Sequence, residues 1–322
     1  MNGMLLTLDA PETADREEFR NAVLEGLSHR PRAVPARFLY DARGSALFDE
    51  ICELPEYYLT RTETQILTAR ARDIANLAGP GCALVEFGSG SSMKSRLLLD
   101  AMSNLAVYAP IDISRRHLDQ SAARLRRDYP QLRVEPVCGD YMSLRSLPRI
   151  AEGARRLGFF PGSTIGNLEP AEATAFLCRA RHLLGDDGAL ILGVDLRKDE
   201  RQLHDAYNDS AGVTAAFTLN LLRRMNRELD ATFDLSGFVH EAFYNLGAGR
   251  IEIYFRSLTD QTVRVAGRSF AFEKGERIHT EYSYKYDIPG IEELARSGGF
   301  QMAELWTDEG QRFAVACLRA AS

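Results

Sequence analysis

The chain has 322 residues, of which 45% are hydrophobic and 26% charged, and its formal net charge is −6. These values are typical of a soluble globular protein, and they exclude disordered, collagen-like and coiled-coil chains. The acidic balance argues against a nucleic-acid-binding protein, whose surface is usually basic. No apolar run approaches the ~18 residues needed to cross a bilayer, and the N-terminal residues lack the basic start of a signal peptide. We therefore expect a cytoplasmic protein that does not bind membranes.

The cysteines and histidines indicate no structural bridge or metal. The five cysteines are odd in number and widely spaced, and no two form a Cys-x-x-Cys pair. That pattern argues against a disulfide framework and a zinc site, and it favours buried, reduced thiols. The six histidines show no spacing typical of metal ligands, so we predict no metal.

The first part of the chain predicts helices around an irregular segment. Residues 16–29 have apolar side chains at helical spacing on one face. Residues 30–60 contain prolines and paired aromatic residues that interrupt any periodicity, which predicts a structured, loop-rich segment. A second helix is expected from about residue 61 to residue 77, where Gly79-Pro80-Gly81 ends it.

From residue 83 onward, apolar strand-like runs alternate with helical stretches. The runs are ALVEFGSG, VYAPIDIS, LRVEPVCGDY, LGFFPGSTIGNL and ALILGVDL. This alternation predicts an α/β fold with a parallel sheet of five strands and helices on both faces. The rhythm stops over residues 197–286, where two helices (201–208 and 213–230) precede strands at 250–258 and 262–272. It resumes with a helix at 291–297 and two closely spaced strands that are expected to pair antiparallel.

Acidic residues follow three successive strands of the predicted sheet. Glu86 and the turn Gly88-Ser89-Gly90-Ser91-Ser92 end the first, Asp112 the second, and Asp140-Tyr141 the third. Ligands of open α/β sheets bind beyond these strand ends, and an acid about 20 residues past the glycine turn accepts ribose hydroxyls. Each residue has a structural alternative, a tight turn or a helix cap. Because Met93 replaces the third glycine of a dinucleotide fingerprint, the set favours S-adenosylmethionine over a dinucleotide.

The fourth strand ends at FFPGSTIGNL, where a methyl acceptor is expected to lie. The amide of Asn167 can both donate and accept, so it can hold an amine or a carboxylate without carrying charge. A helix cap before Pro170 is the structural alternative.

The chain resembles the histidine-specific N-α-methyltransferase family of ergothioneine biosynthesis along nearly its whole length. The segments that carry the resemblance are FLYDARGSALFDEICELPEYYLTRTETQIL, EFGSGSSMKSRLLLDAM, FFPGSTIGNL and AYNDSAGVTAAFTLNLLRRMNRELDATFDL. The resemblance implies a Rossmann-like class I S-adenosylmethionine-dependent methyltransferase domain with a second α+β substrate-binding domain. It also implies three methyl transfers to the α-amino group of L-histidine, which give hercynine. The expected division is 62–196 and 287–322 for methyl transfer, and 1–61 and 197–286 for substrate recognition.

The resemblance also implies site residues at matching positions. For the co-substrate these are Gly88, Lys94, Asp112, Asp140 and Tyr141. For histidine they are Tyr57 as a substrate-binding tyrosine, Asn167 at the amino-acid end and Tyr207 at its carboxylate. Glu281 and Ser283 are implied at the imidazole, and Tyr40 near the accepting nitrogen. Ile253 stands where familiar members of the family have Met. Tyr40 and Asn167 are the expected catalytic residues.

Physical reasoning supports the imidazole pair. Glu281 can accept from one ring N–H while Ser283 serves the other nitrogen, and an apolar side chain would leave Glu281 unpaired. A carboxylate held by neutral hydroxyl and amide donors needs no buried ion pair.

Other functions stay open on the residues alone. An arginine-rich stretch, residues 115–156, holds ten Arg against five acids and permits a nucleic-acid methyltransferase. Because the arginines lie mostly on predicted helix faces without aromatic residues between them, a solvated surface is the better explanation. Aminopropyl transfer to polyamines, methylation of another amino acid or small amine, and a non-catalytic S-adenosylmethionine-binding regulator are further alternatives. We expect a monomer.

Overall fold

A computed structural model describes residues 10–90, 93–102, 104–147 and 153–321 of the protein. Ser91 and Ser92 of the predicted turn, and residues 1–9, on which the signal-peptide expectation depends, lie outside the described residues. None of the described helices is both long and apolar enough to cross a membrane.

The described chain contains helices and strands with the following bounds. The helices are α1 (Ala10–Ser28), α2 (Ala42–Glu53), α3 (Tyr58–Ala78), α4 (Met93–Ala101), α5 (Arg115–Asp128), α6 (Pro170–Leu184), α7 (Glu200–Tyr207), α8 (Val213–Glu228) and α9 (Ile288–Ser297). The strands are β1 (Arg32–Ala33), β2 (Ala83–Phe87), β3 (Val107–Asp112), β4 (Val137–Cys138), β5 (Arg156–Phe160), β6 (Ala189–Asp195), β7 (Phe238–Asn245), β8 (Arg250–Ser257), β9 (Gln261–Val265), β10 (Arg268–Phe272), β11 (Arg277–Tyr284), β12 (Phe300–Thr307) and β13 (Phe313–Ala320).

The chain divides into two compact units. The larger comprises residues 58–198, 248–250 and 283–322, and the smaller comprises residues 1–57, 199–247 and 251–282. The chain therefore passes between them inside short segments, among them the steps from Tyr57 to Tyr58 and from Tyr282 to Ser283. The assignment of methyl transfer to one region and substrate recognition to the other stays a prediction.

The larger unit contains a seven-stranded sheet in the order β12-β13-β6-β5-β2-β3-β4. β2 lies inside the sheet and pairs in parallel with β3 on one side and β5 on the other. The predicted parallel α/β sheet is thus confirmed. Because the strand order departs in both directions from β2, the carboxyl ends of β2, β3 and β5 adjoin a switch point, where ligands of such sheets bind.

The C-terminal strands complete this sheet in the opposite direction. β12 and β13 form the expected antiparallel pair, and β13 also pairs antiparallel with β6. The first six residues of β13 are buried, which explains its unbroken apolar run inside the sheet.

One part of the core of the larger unit lies against the face of the sheet that α6 and α9 cover. Alternate residues of β2 (Ala83, Val85 and Phe87) pack with the apolar residues of α6 and α9. Successive side chains of a strand point to opposite faces, so Leu84 and Glu86 face the other side. The carboxylate of Glu86 is therefore buried within the fold, at 2% exposure.

The smaller unit combines helices with a four-stranded sheet in the order β1-β11-β8-β7. Helix α2 packs on α8, and its presence corrects the prediction of a loop-rich segment at 30–60. The side chain of Asp41 caps α2 by accepting from Gly44 N–H at 2.7 Å. Gly44 itself is required, because a Cβ there would stand 1.8 Å from the Leu39 carbonyl oxygen.

The single strand predicted over residues 262–272 is wrong, because the segment is a hairpin of β9 and β10. Ala266 and Gly267 link the strands with φ of 47° and 82°. Two consecutive positive φ angles match the twist of a two-residue hairpin. The sequence conceals this turn because Ala266 is an uncommon residue in that conformation.

Candidate active site

The turn after β2 depends on glycine. Gly88 and Gly90 have φ of 74° and 44°, a region that disfavours other residues. The amides of Gly88 and Ser89 donate to the Ile111 carbonyl at 2.9 and 3.2 Å, which ties the turn to the end of β3. A Cβ at Gly88 would stand 3.6 Å from the ring of Tyr141. That distance is an ordinary van der Waals contact, so it is the positive φ that favours glycine at position 88, and the missing side chain leaves the backbone accessible beside the ring.

The carboxylate of Asp112 is held in a fixed orientation at the end of β3. One oxygen accepts from Gly90 N–H at 3.3 Å and the other from Ser114 N–H at 2.9 Å. Ser114, rather than Asp112, is the N-cap residue of α5. The half-buried carboxylate thus faces the glycine turn, and its remaining lone pairs suit the two hydroxyls of a ribose.

Asp140 and Tyr141 follow β4 at the same edge of the sheet. Asp140 accepts from Met142 N–H at 2.8 Å. The ring of Tyr141 packs edge-on against Phe160 and Phe176, each at 5.5 Å between centroids. Burial, followed by the charges of Asp140 and Asp112, raises the pKa of Tyr141 to about 12. The structure therefore groups Asp112, Asp140, Tyr141 and the glycine turn, and Tyr141 stays a neutral aromatic surface.

Glu86, a buried residue of β2, holds the strand next to its neighbours just before the glycine turn. Its carboxyl group accepts from Ser95 of α4 at 2.6 Å and from the Tyr108 hydroxyl of β3. Burial raises the pKa of Glu86 to about 7, against the lowering effect of these two hydrogen bonds. The three side chains thus link β2, α4 and β3 below the turn.

The titration of Glu86 predicts a pH-dependent stability. Its folded pKa of about 7 lies above the ordinary 4.5, so its stabilising contribution is complete below pH 4.5 and is lost as pH rises to 7. That change corresponds to at most about 3 kcal/mol of unfolding free energy. We expect the unfolding free energy of Glu86→Gln, relative to that of the wild type, to rise between pH 4.5 and pH 7 and to stay constant above pH 7. Thermal melting at several pH values measures this difference, and a constant difference would contradict it.

Lys94, a predicted co-substrate residue, is anchored by Glu63 of α3. Glu63 is 1% exposed; it forms an ion pair with Lys94, and both its oxygens accept from Gly162 N–H at 2.9 Å. A Cβ at Gly193 would stand 2.0 Å from a Glu63 oxygen, so Gly193 provides the space for this carboxylate. Glu63 is absent from the residues predicted from the sequence, although an acid on the apolar face of a helix, between Leu59 and Ile66, was a usable signal.

Asn167 ends a short 3-10 turn that follows β5, and it is half-buried. Gly166 packs tightly beneath it, since a Cβ there would stand 2.7 Å from the Tyr284 carbonyl oxygen. Ser163, at φ 56°, begins the turn and accepts from Asp195 N–H at 2.9 Å. Glu169, rather than Asn167, is the N-cap of α6, so a capping role does not account for Asn167.

Ser283 is joined to a buried cluster of charges. Lys285 donates to the Ser283 hydroxyl oxygen at 2.8 Å and forms an ion pair with Asp195 at 2.7 Å. Asp195 also accepts from Tyr58 at 2.9 Å and from Lys198 at 2.5 Å. Burial lowers the pKa of Lys198 to about 8. Asp195, Lys198 and Lys285 were not predicted, because they carry no motif and their roles arise from the bonds that they form with one another and with Ser283.

In the smaller unit, the predicted tyrosines share one aromatic cluster. Tyr40 packs edge-on against Phe48 and Phe217 at 5.5 and 5.4 Å between centroids. Phe48 contacts Tyr57, which in turn contacts Tyr207, each at 6.3 Å. Phe48 and Phe217 were not predicted, although the aromatic-rich segments around them are the most specific signal in the sequence.

Tyr57 also lies within the field of Glu281. Burial raises the pKa of Tyr57 well above its usual value, and Tyr207, Cys52, Tyr40 and Glu281 raise it further. Glu281 is half-buried in β11, and the hydroxyl of Thr280 beside it donates to the Ile253 carbonyl at 3.1 Å. The smaller unit therefore brings Tyr40, Tyr57, Tyr207 and Glu281 together, and Ile253 lies on β8, the strand next to β11.

The larger unit, by contrast, carries the predicted co-substrate residues together with Asn167 and Ser283. Glu281 and Ser283 are two residues apart in β11, so their side chains leave the strand on the same face. Within the described parts of the chain, no group of three His, Cys, Asp or Glu side chains could hold a metal ion.

Comparison with known proteins assigns the family. Residues 19–320 match the family described as "Histidine-specific methyltransferase, SAM-dependent". The chain belongs to this family. It is 42% identical to the histidine N-alpha-methyltransferase of Mycolicibacterium smegmatis, over 93% of this chain and 94% of that one. It is 39% identical to the protein of the same name from Mycobacterium tuberculosis, over 95% and 96%.

More distant similarities agree with this membership. Ergothioneine biosynthesis protein 1 of Neurospora crassa is 31% identical over 86% of this chain, which matches 32% of that longer protein. A solved structure of a possible exported protein from Bordetella parapertussis has a TM-score of 0.51 at 14% identity, covering 99% of this chain and all of that one, and it shows a shared fold only. Family membership confirms the prediction of an S-adenosylmethionine-dependent methyltransferase with a Rossmann-like fold.

Proposed function

We propose that this protein transfers three methyl groups from S-adenosylmethionine to the α-amino group of L-histidine, giving hercynine on the route to ergothioneine. The observation that carries the proposal is the 42% identity, over almost the whole chain, to a protein named histidine N-alpha-methyltransferase. The grouping of Tyr40, Tyr57, Tyr207 and Glu281 in one unit supports it. We also infer a monomeric, cytoplasmic enzyme. The net charge of −6 supports the inference that it does not act on nucleic acid.

The co-substrate residues fit S-adenosylmethionine. Gly88 leaves the backbone open, Asp112 offers oriented acceptors for ribose hydroxyls, and Asp140 with Tyr141 offers an acceptor beside an aromatic face. Lys94, held by Glu63, provides a cation for the carboxylate of the methionine moiety. Bound there, S-adenosylmethionine supplies an electrophilic methyl group on a sulfonium.

Each methyl transfer is an in-line displacement at carbon, so the protein contributes mainly orientation. The nitrogen lone pair of histidine forms the new N–C bond while the sulfonium C–S bond breaks, leaving a neutral thioether. The ammonium form of the substrate must lose a proton before each attack. In our proposal Asn167 orients the amino group, and Tyr57 and Tyr207 contact the amino-acid end.

Tyr40 is proposed to relay the departing proton. We expect Tyr40→Phe to lower kcat about 100-fold, at the lower end of general acid–base effects, while the Kd for histidine changes less than about threefold. The phenyl ring keeps the contacts with Phe48 and Phe217, so packing is preserved. Single-turnover rates and calorimetry separate the two effects. Tyr129→Phe, which removes a hydroxyl bonded to Asp100, is the matched control, and lost binding with an unchanged kcat would refute the role.

The proposed activity is tested with purified protein, S-adenosylmethionine and each of the twenty amino acids, followed by mass measurement of the products. Three added methyl groups on histidine alone are expected. Methylation of a different amino acid, of a polyamine or of nucleic acid in parallel reactions would replace the proposal with that alternative. Co-substrate binding without any turnover would indicate a regulator.

A further inference from the structure

Behind Ser283 lies a buried charge cluster, Asp195, Lys198 and Lys285, in which Lys285 is the group that donates to Ser283. Asp195 and Lys285 are fully buried, and the 2.7 Å ion pair between them keeps a cation inside the fold. A buried ion pair of this kind persists when further hydrogen bonds satisfy both partners. Tyr58 and Lys198 provide those bonds to Asp195, and Ser283 provides one to Lys285.

This arrangement determines how Ser283 can bond. An ammonium group has three donors and no acceptor, so the 2.8 Å contact requires the Ser283 oxygen to accept from Lys285. The hydroxyl group has one hydrogen, which it directs away from a cationic donor. Lys285 therefore biases Ser283 towards donating its own hydrogen to a third group.

We propose that Lys285, anchored by Asp195, is a positioning residue that makes Ser283 the hydrogen-bond donor to the unprotonated nitrogen of a neutral imidazole. This inference rests on the proposed function, in which Ser283 and Glu281 contact the ring. Glu281, on the same face of β11, accepts from the ring N–H. The pair thus requires one N–H and one lone pair, and only neutral imidazole among the natural side chains presents both on one five-membered ring.

The same hydrogen-bond direction works against two kinds of competitor. An imidazolium ring presents two N–H groups and no lone pair, so it cannot accept the hydrogen that Ser283 donates. An aromatic ring without an acceptor nitrogen cannot accept the Ser283 hydrogen either. Losing this hydrogen bond is expected to weaken binding of such a competitor by about one to two orders of magnitude.

A double-mutant cycle tests whether Lys285 acts through Ser283. The Kd for histidine is measured by calorimetry with wild type, Lys285→Met, Ser283→Ala and the double variant. Lys285→Met is expected to weaken histidine binding about tenfold in the wild-type background and less than about twofold in the Ser283→Ala background. The Kd for S-adenosylmethionine should change less than about twofold throughout. An equal loss in both backgrounds, or a parallel loss of S-adenosylmethionine binding, would overturn the proposal.

Lys198→Met is the matched control, because Lys198 bonds to the same carboxylate. Its described partners are Asp195, Tyr58 and the Leu196 carbonyl. We expect this variant to lower the melting temperature while the Kd for histidine stays within about twofold. If it weakens histidine binding as much as Lys285→Met does, general damage to the cluster explains both results and the proposal fails.

A measurement on the wild-type protein keeps the proposal testable if Lys285→Met does not fold. Two histidine analogues, the pyrrolylalanines, replace one ring nitrogen of the imidazole with carbon. Each keeps an N–H at one of the two nitrogen positions and lacks the acceptor nitrogen at the other. Both are expected to bind at least about tenfold more weakly than histidine, and equal binding by either would overturn the donor role of Ser283. A wild-type protein that does not methylate histidine would instead refute the proposed function, so the two failures are distinguishable.

Discussion

Replacing Asp112 with alanine is expected to raise the KM for S-adenosylmethionine about a hundredfold and to leave the KM for histidine within about threefold. The Asp112 carboxylate is oriented by Gly90 and Ser114, with lone pairs remaining for two ribose hydroxyls. A hydrogen bond to a charged group contributes about 1.5–3 kcal/mol, and a hundredfold loss corresponds to about 2.7 kcal/mol. The variant also loses the acceptor that orders the glycine turn, which acts in the same direction.

Steady-state kinetics with each substrate varied in turn measures this effect. Asp119→Ala removes an exposed carboxylate from the neighbouring helix α5 and should leave both KM values unchanged. Asp112→Asn keeps one acceptor oxygen, so an intermediate KM is expected. A rise in the KM for histidine comparable to that for S-adenosylmethionine would show that Asp112 serves the fold rather than the co-substrate.

The regular part of the fold follows from the sequence because its signals are local and repeated. Each buried parallel strand is a short apolar run, and each connecting helix has its own periodicity, so the order of elements from Ala83 to Asp195 could be predicted. Helix α2 could not, because its few buried residues, Gly44, Leu47 and Ile51, belong to a helix that packs on α8, far along the chain. Asp41 illustrates this dependence, since it caps α2 and also accepts from Asn220 of α8 at 2.8 Å.

Some residues of the candidate site could likewise be predicted from local sequence signals, and others could not. Residues that follow strands, such as Asp112 and Asp140, could be found because topology alone brings strand ends together. The burial of Glu63 could be suspected from its place on the apolar face of α3. Its role and that of Lys285 could not be predicted, because both arise from partners that are distant in sequence, Gly162 and Asp195. From the sequence alone, a charged residue that will be buried cannot be distinguished from one on the surface until its partners are known. The polar residues behind the first layer of a site are therefore the part that a single sequence conceals.

The largest effect on histidine itself is expected from Glu281→Ala. We expect the Kd for histidine to rise about a hundredfold, while the KM for S-adenosylmethionine changes less than about threefold. Glu281 is half-buried in β11 and lies close enough to Tyr57 to raise the pKa of that hydroxyl. In this setting a carboxylate that accepts from an imidazole N–H forms a charge-assisted hydrogen bond, roughly twice as strong as a neutral one.

Discrimination between substrates gives a second, independent readout of Glu281. An apolar side chain offers no N–H to the Glu281 carboxylate of the wild type, so its binding is penalised, whereas the alanine variant has no carboxylate to desolvate. The ratio of kcat/KM for histidine to kcat/KM for phenylalanine should therefore fall at least about tenfold in the variant. Glu281→Gln keeps an acceptor without the charge and should lie between the two. Glu292→Ala, which removes an exposed carboxylate from α9, serves as control. If the Kd for histidine rises but the ratio of the two kcat/KM values does not change, Glu281 maintains the structure of the smaller unit and does not contact the imidazole. Only direct contact between Glu281 and the ring makes the loss of binding depend on which side chain the substrate carries.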